Sequence, residues 1–124
     1  MSKCMVLIVD DEEDFLENMV KRMAMRNPHV YGVKSGIAAL DYLEKEPVDV
    51  VLLDVKMPGM DGIETLEAIK KHHPETEVIM LTGHADVEAA MRGISLGAFD
   101  YLMKPAELSE VLFKVQKAYE KKNL

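Results

Sequence analysis

Five short, almost unbroken apolar runs recur along the chain, near residues 5–10, 29–33, 49–54, 77–82 and 99–103, and amphipathic stretches fill the intervals. The runs are rich in Val, Ile and Leu, which is how strands buried on both faces read. Strands of that kind are parallel and need helices on both sides of their sheet. The alternation therefore predicts an α/β chain, doubly wound around a five-stranded parallel sheet. Right-handed crossovers follow. The expected strand order is 2-1-3-4-5, which sets strands one and three side by side at the switch point where ligands bind.

Helical periodicity supports the parse. Phe15, Met19, Val20 and Met23 form one stripe, and Ile63, Leu66 and Ile69 another. Val87, Ala90, Met91 and Ile94 form a third, and Leu108, Val111, Leu112, Val115 and Tyr119 a fourth. Segment 36–45, with Ile37, Leu40 and Leu43, carries the weakest pattern. Asn27-Pro28, Glu46-Pro47 and His73-Pro74 punctuate the ends of the first three helices. Asp61 with Glu64 resembles a capping box opening the third. Most of the ten methionines are expected at core positions.

A length of 124 residues fits one domain, residues 1–124, with a real core. No apolar stretch is long enough for a bilayer, and the N-terminus lacks a signal-peptide pattern, so a cytoplasmic location is expected. The single cysteine, Cys4, excludes an internal disulfide and reads as a small buried hydrophobe. A net charge of −7 argues against direct nucleic-acid binding, which needs a basic face.

Four of the five runs stop at a residue able to do phosphate or metal chemistry: Asp10-Asp11, Asp54, Thr82 and Lys104-Pro105. In a parallel sheet all carboxyl ends lie along one edge, so these residues should converge there. Clustered carboxylates are unfavourable unless a cation neutralises them. Oxygen ligands without His or Cys select a hard cation, Mg2+ or alternatively Mn2+. A carboxylate can attack phosphorus and form an aspartyl phosphate, and Asp54, on the middle strand, is the best placed to do so. Lys104 would supply a compact positive charge for phosphoryl oxygens, and Thr82 a hydroxyl donor. No G-x-x-x-x-G-K-[ST] loop and no G-x-G-x-x-G turn is present, and the first turn, Asp10-Asp11-Glu12-Glu13-Asp14, would repel a nucleotide phosphate.

Each feature has a plainer reading. Asp10 or Asp11 alone would more often be a helix cap. His72 and His73 are adjacent and so point to different helix faces, and His29 suits a strand end at the surface. Lys114, Lys117, Lys121 and Lys122 suit the last helix's dipole and solvation. It is the register of Asp54, Thr82 and Lys104-Pro105 at three strand ends that outweighs these readings.

VDDEEDF at 9–15, LLDVKMPGMDG at 52–62, LTGHAD at 81–86 and GAFDYLMKP at 97–105 together resemble the receiver domain of two-component response regulators, from about Cys4 to Tyr119. The resemblance implies a flavodoxin-like (βα)5 fold with Asp54 as phosphoacceptor. It implies Asp10, Asp11, Asp54 and the backbone carbonyl of Lys56 as the Mg2+ set, with Asp10 acting partly through water. It implies Thr82 and Lys104 on the phosphoryl group, Tyr101 at the aromatic switch position, and a cis Lys104–Pro105 peptide. Lys56 and His84, two residues past Asp54 and Thr82, would overlook the site and tune the lifetime of the acyl phosphate. The implied partners are a sensor histidine kinase and an output protein or domain, often a transcription regulator, reached through helix 4, strand 5 and helix 5. A homodimer formed on phosphorylation is a further option.

Such a domain accepts one phosphoryl group and is a signalling module rather than an enzyme, with its own autophosphorylation and autodephosphorylation chemistry. Two other readings remain. A small Mg2+-dependent phosphatase would also use an Asp nucleophile, but D-x-D-x-[TV] is not met because Lys56 stands two after Asp54. A degenerate receiver would act only as an interaction module, against which stands the intact carboxylate set.

Overall fold

The computed structural model describes residues 3–124. It contains β1 (Val6–Val9), α1 (Glu13–Ala24), β2 (Val30–Val33), α2 (Gly36–Lys45), β3 (Val50–Asp54), α3 (Gly62–His72), β4 (Glu77–Thr82), a 3-10 turn (His84–Asp86), α4 (Val87–Ser95), β5 (Asp100–Met103) and α5 (Leu108–Lys122). The five strands are parallel in the order β2-β1-β3-β4-β5, the doubly wound topology expected from the alternation. The three inner strands β1, β3 and β4 are buried at every position, which accounts for their unbroken apolar reading.

Alternate side chains of each strand feed two cores. Val6, Ile8, Leu52, Ile79 and Leu81 pack with Leu16, Met19 and Met23 of α1 and with Val111 and Val115 of α5. Leu7, Val9, Val51, Leu53 and Met80 pack with Ala39 and Leu43 of α2, Leu66 and Ile69 of α3 and Ala90 of α4. Burying each such Val, Leu or Ile contributes roughly 1.5–3 kcal/mol.

Local chemistry sets the boundaries. Asp61 accepts from the Glu64 N–H at 2.9 Å while Glu64 accepts from the Asp61 N–H at 3.2 Å, the capping box that starts α3. Ser35 caps α2 through Ala38 N–H. The first helix ends at Ala24, before the Asn27-Pro28 pair. Asn27 is buried and donates to the Cys4 carbonyl at 2.8 Å, tying that turn to the start of β1. Cys4 is fully buried, and desolvation together with Asp49 pushes its thiol up to about 12. Met19, Met23, Met57 and Met80 are core residues, whereas Met25 and Met91 are exposed. Ile94 is exposed too, so the apolar stripe of α4 is wider than the face it buries. Lys121 and Lys122 do more than solvate the end of α5, pairing with Glu77 at 3.5 Å and Asp49 at 2.7 Å. Among the described residues, no helix is long and apolar enough to cross a membrane.

Candidate functional site

The parallel register places the last residues of β1, β3, β4 and β5 along one edge. Asp10 directly follows β1 and Asp54 ends β3, on the adjacent strand. Carboxylate oxygens of Asp10, Asp11 and Asp54 all lie within 4.8 Å of one another. Asp10 is fully buried and Asp54 nearly so, while Asp11 is exposed. Residues 44 positions apart thus form one acidic group, as the strand ends predicted.

Buried like charges need compensation. Part comes from Lys104, just past β5, whose Nζ lies 2.6 Å from Asp10 Oδ2, 2.9 Å from Glu12 Oε1 and 3.6 Å from Asp54 Oδ1. The ammonium also sits 4.4 Å from the centre of the Phe15 ring. Burial pulls its pKa down, but the contacts with Asp10 and Glu12 outweigh burial and leave it above the ordinary lysine value. The Lys104–Pro105 peptide is cis.

One ammonium does not balance three carboxylates. Burial first, and then the Asp10 charge, raise the Asp54 pKa to about 7, against the lowering pull of Lys104 and of a hydrogen bond from the Lys56 N–H. Asp10 Oδ1 accepts the Glu12 N–H at 2.9 Å, but its buried Oδ2 has only the ion pair and accepts no aligned hydrogen bond. Three carboxylates gathered around a single ammonium, all of them oxygen donors, fit a hard divalent cation of the Mg2+ kind. Asp10, Asp11 and Asp54 are the residues that could hold it.

Thr82, at the end of β4, is buried at the same edge, but its hydroxyl donates to the Gly83 carbonyl at 2.9 Å rather than toward Asp54. His84 is exposed at the head of the 3-10 turn. The Lys56 side chain is largely exposed and its Nζ lies 3.9 Å from Asp86 Oδ1. Tyr101 is half-buried on β5, and Lys114 Nζ donates to its carbonyl at 2.8 Å, pairs with Asp100 at 3.2 Å and lies 5.7 Å from its ring centre.

Three residues of this arrangement escape a reading of strand ends. Glu12 sits in an acidic run that reads as uniformly repulsive, yet it holds Lys104. Phe15 belongs to the core stripe of α1 and also underlies the ammonium. Asp86 gives no signal in the sequence beyond being an acid near the strand end.

The chain matches the response regulator receiver domain family over residues 6–116. It is 37% identical over 115 residues to the regulatory protein AtoC of Escherichia coli, covering 93% of this chain and 25% of that protein. It is 41% identical over 111 residues to a probable cyclic di-GMP phosphodiesterase of Vibrio cholerae, covering 87% of this chain and 25% of that protein. The chain spans about a quarter of the length of these curated relatives. Among solved structures, the response regulator receiver domain protein of Clostridium thermocellum superimposes with a TM-score of 0.91 at 33% identity, covering 97% of each chain. The chain belongs to the response regulator receiver domain family, whose members work in two-component phosphorelay signalling.

Proposed function

We propose that this domain accepts a phosphoryl group on Asp54 from the phosphohistidine of a sensor histidine kinase, in a Mg2+-dependent transfer, and that the acyl phosphate switches it from an inactive to an active conformation. The observation that carries the reading is the position of Asp54: a buried carboxylate at the sheet's carboxyl edge, grouped with Asp10 and Asp11 and 3.6 Å from the Lys104 ammonium. A lone buried Asp would be a structural liability; one beside two acids and a lysine is equipped for phosphoryl chemistry.

An Oδ of Asp54 attacks phosphorus, forming a P–O bond as the P–N bond of the phosphohistidine breaks. The bonding electron pair stays on the imidazole nitrogen, which takes a proton from solvent. Phosphoryl transfer needs positioning and charge neutralisation more than covalent assistance. Asp10, Asp11, Asp54 and the Lys56 carbonyl would hold Mg2+, which supplies positive charge to the phosphoryl oxygens when bound. Lys104 would supply positive charge as well, and Thr82 a hydroxyl. Water attacking phosphorus later returns Asp54 as a carboxylate with release of phosphate, and Lys56 and His84 would overlook that route.

The signal would leave through Thr82 and Tyr101 to the face formed by α4, β5 and α5. Met91 and Ile94 of α4 are exposed apolar residues. A kinase at the input edge and a partner or attached output domain at this face are the partners that follow, with a homodimer as another form of output. The two curated relatives are named for different outputs, so the receiver fixes the input chemistry and not the downstream activity.

Mass spectrometry after treatment with acetyl phosphate and Mg2+ tests the reading. One added phosphoryl group per wild-type chain and none in Asp54→Asn is the expected result. Equal labelling of the two would overturn it, and steady turnover of many phosphate esters would favour a phosphatase instead.

A further inference from the structure

Glu12 occupies the position that precedes α1, and its carbonyl accepts the Leu16 N–H, the first bond of the helix. A Ser, Thr, Asp or Asn there would cap the helix, a contact worth about 1 kcal/mol, whereas Glu is not among the residues that favour that role. The Glu12 side chain makes no capping bond. It instead reaches a residue 92 positions away and accepts from Lys104 Nζ at 2.9 Å. The Glu12 N–H donates to Asp10 Oδ1, which fixes the backbone from which that side chain projects.

We propose that Glu12 is a positioning residue that holds the Lys104 ammonium in the unmodified site and competes for it with an incoming phosphoryl group. The inference rests on the phosphoacceptor reading of Asp54. Among the described residues Lys104 is the only cation paired with Asp10, Glu12 or Asp54, and it is shared among all three. Glu12 stands outside the three-carboxylate group, so it is a partner of Lys104 that is not itself one of the grouped acids. The ammonium has three N–H donors, and with Asp10, Glu12 and Asp54 already sharing them a phosphoryl oxygen on Asp54 competes with Glu12 for one of them. The contact is charge-assisted yet part-exposed, Lys104 being 16% and Glu12 66% accessible, so its strength is modest and the exchange reversible. The neighbouring Glu13 provides the contrast: it carries the same charge but pairs with Lys34, at 2.9 Å, away from Lys104.

The test measures the affinity of the Mg2+-loaded domain for beryllium trifluoride, a tetrahedral phosphoryl mimic, by amide NMR in wild type, Glu12→Gln and Glu13→Gln. Both substitutions remove one exposed acidic charge and neither removes a cap, so folding is expected to be retained, with melting curves as the check. Glu12→Gln should bind about threefold to tenfold more tightly, the scale of one partly exposed charge-assisted contact. Glu13→Gln should shift by less than half as much on a logarithmic scale. In a Lys104→Gln background the Glu12 substitution should have no effect, a coupling that a purely structural role would not produce. Unchanged or weaker binding by Glu12→Gln, equal effects of the two glutamates, or persistence of the effect without Lys104 overturns the inference alone. Failure of the wild type to bind beryllium trifluoride at all overturns the phosphoacceptor reading together with it.

Discussion

The hydroxyl of Thr82 donates to the carbonyl oxygen of Gly83 at 2.9 Å, and the Asp86 N–H reaches that same carbonyl at 3.1 Å. The group that would contact a phosphoryl oxygen is thus engaged in the turn leading into α4, and turning it toward Asp54 exchanges one hydrogen bond for another. A net hydrogen bond contributes roughly 0.5–1.5 kcal/mol, whereas moving a two-state equilibrium from 1:99 to 99:1 takes about 5.5 kcal/mol. On the proposed reading Thr82 alone would bias such a switch but not drive it; Lys104 and the metal, or a bound partner, would have to contribute. Thr82→Ala should therefore accept phosphoryl at Asp54 yet show weaker phosphorylation-dependent partner binding. Titrating partner binding against acetyl phosphate checks this, and a wild-type response in the variant would remove Thr82 from the scheme.

Lys56 and Asp86 face each other across the rim, from the loop after β3 and the turn after β4. At 3.9 Å and with Lys56 mostly exposed, the pair is worth well under 1 kcal/mol to stability. On the proposed reading it would place a charge near the route by which water reaches Asp54, and His84 is exposed on the same turn. Lys56→Asn and His84→Ala should leave the melting temperature nearly unchanged and alter the rate of acyl-phosphate loss severalfold. Phosphate release after removal of the donor measures it, and rates equal to wild type would exclude both side chains from rate control.

The strands, their order and the edge where the chemistry gathers were legible because buried parallel strands write unbroken apolar runs and because strand ends carry the acids, the hydroxyl and the lysine. Helix starts were legible where a local side chain caps them, as at Asp61. The network around Lys104 was not. Glu12 and Lys104 are 92 residues apart, and the partner of a long flexible cation depends on side-chain paths that period and propensity do not encode. The wide apolar stripe of α4 misleads for a related reason: Met91 and Ile94 keep helical spacing but face away from the sheet, so periodicity alone assigns them to the core. The direction of the Thr82 hydroxyl, toward Gly83, is a rotamer choice and leaves no trace in the sequence.

Gly62 opens α3 beside the end of β3, and a Cβ built there would lie 2.2 Å from the Asp54 carbonyl oxygen and 2.7 Å from Val55 Cα. Both neighbours are backbone, so no rotamer change relieves the overlap. The Gly62 N–H also donates to the Val55 carbonyl at 2.9 Å, which keeps the two segments together. Gly62→Ala should cost about 1–3 kcal/mol of unfolding free energy, in line with overpacking of a tight site. It should also slow phosphoryl uptake, because the strand end carrying Asp54 must move. Gly83→Ala is the matched control, since a Cβ there meets nothing within 4 Å. Chemical denaturation that found both variants equal to wild type would refute the packing account.

The raised pKa of Asp54 makes stability depend on pH in a direction that can be worked out. Its carboxyl titrates near the ordinary 3.8 in the unfolded chain and at about 7 in the folded, metal-free domain, chiefly through burial and then the Asp10 charge. The folded state binds the proton more tightly, so the Asp54 contribution to stability is fully present below about pH 4 and is lost as pH rises to about 7. Three pH units correspond to a ceiling of about 4 kcal/mol. Asn cannot ionise, so in EDTA the Asp54→Asn domain should match wild type near pH 4 and exceed it in stability by up to that amount at pH 8. Added Mg2+ should stabilise the wild type at pH 8 far more than the variant, because it offsets the same carboxylate charge that the substitution removes. Urea unfolding at several pH values with and without Mg2+ gives the curves. A wild-type-to-variant difference that stays constant across that range would show that the Asp54 charge is not the strained element of the site.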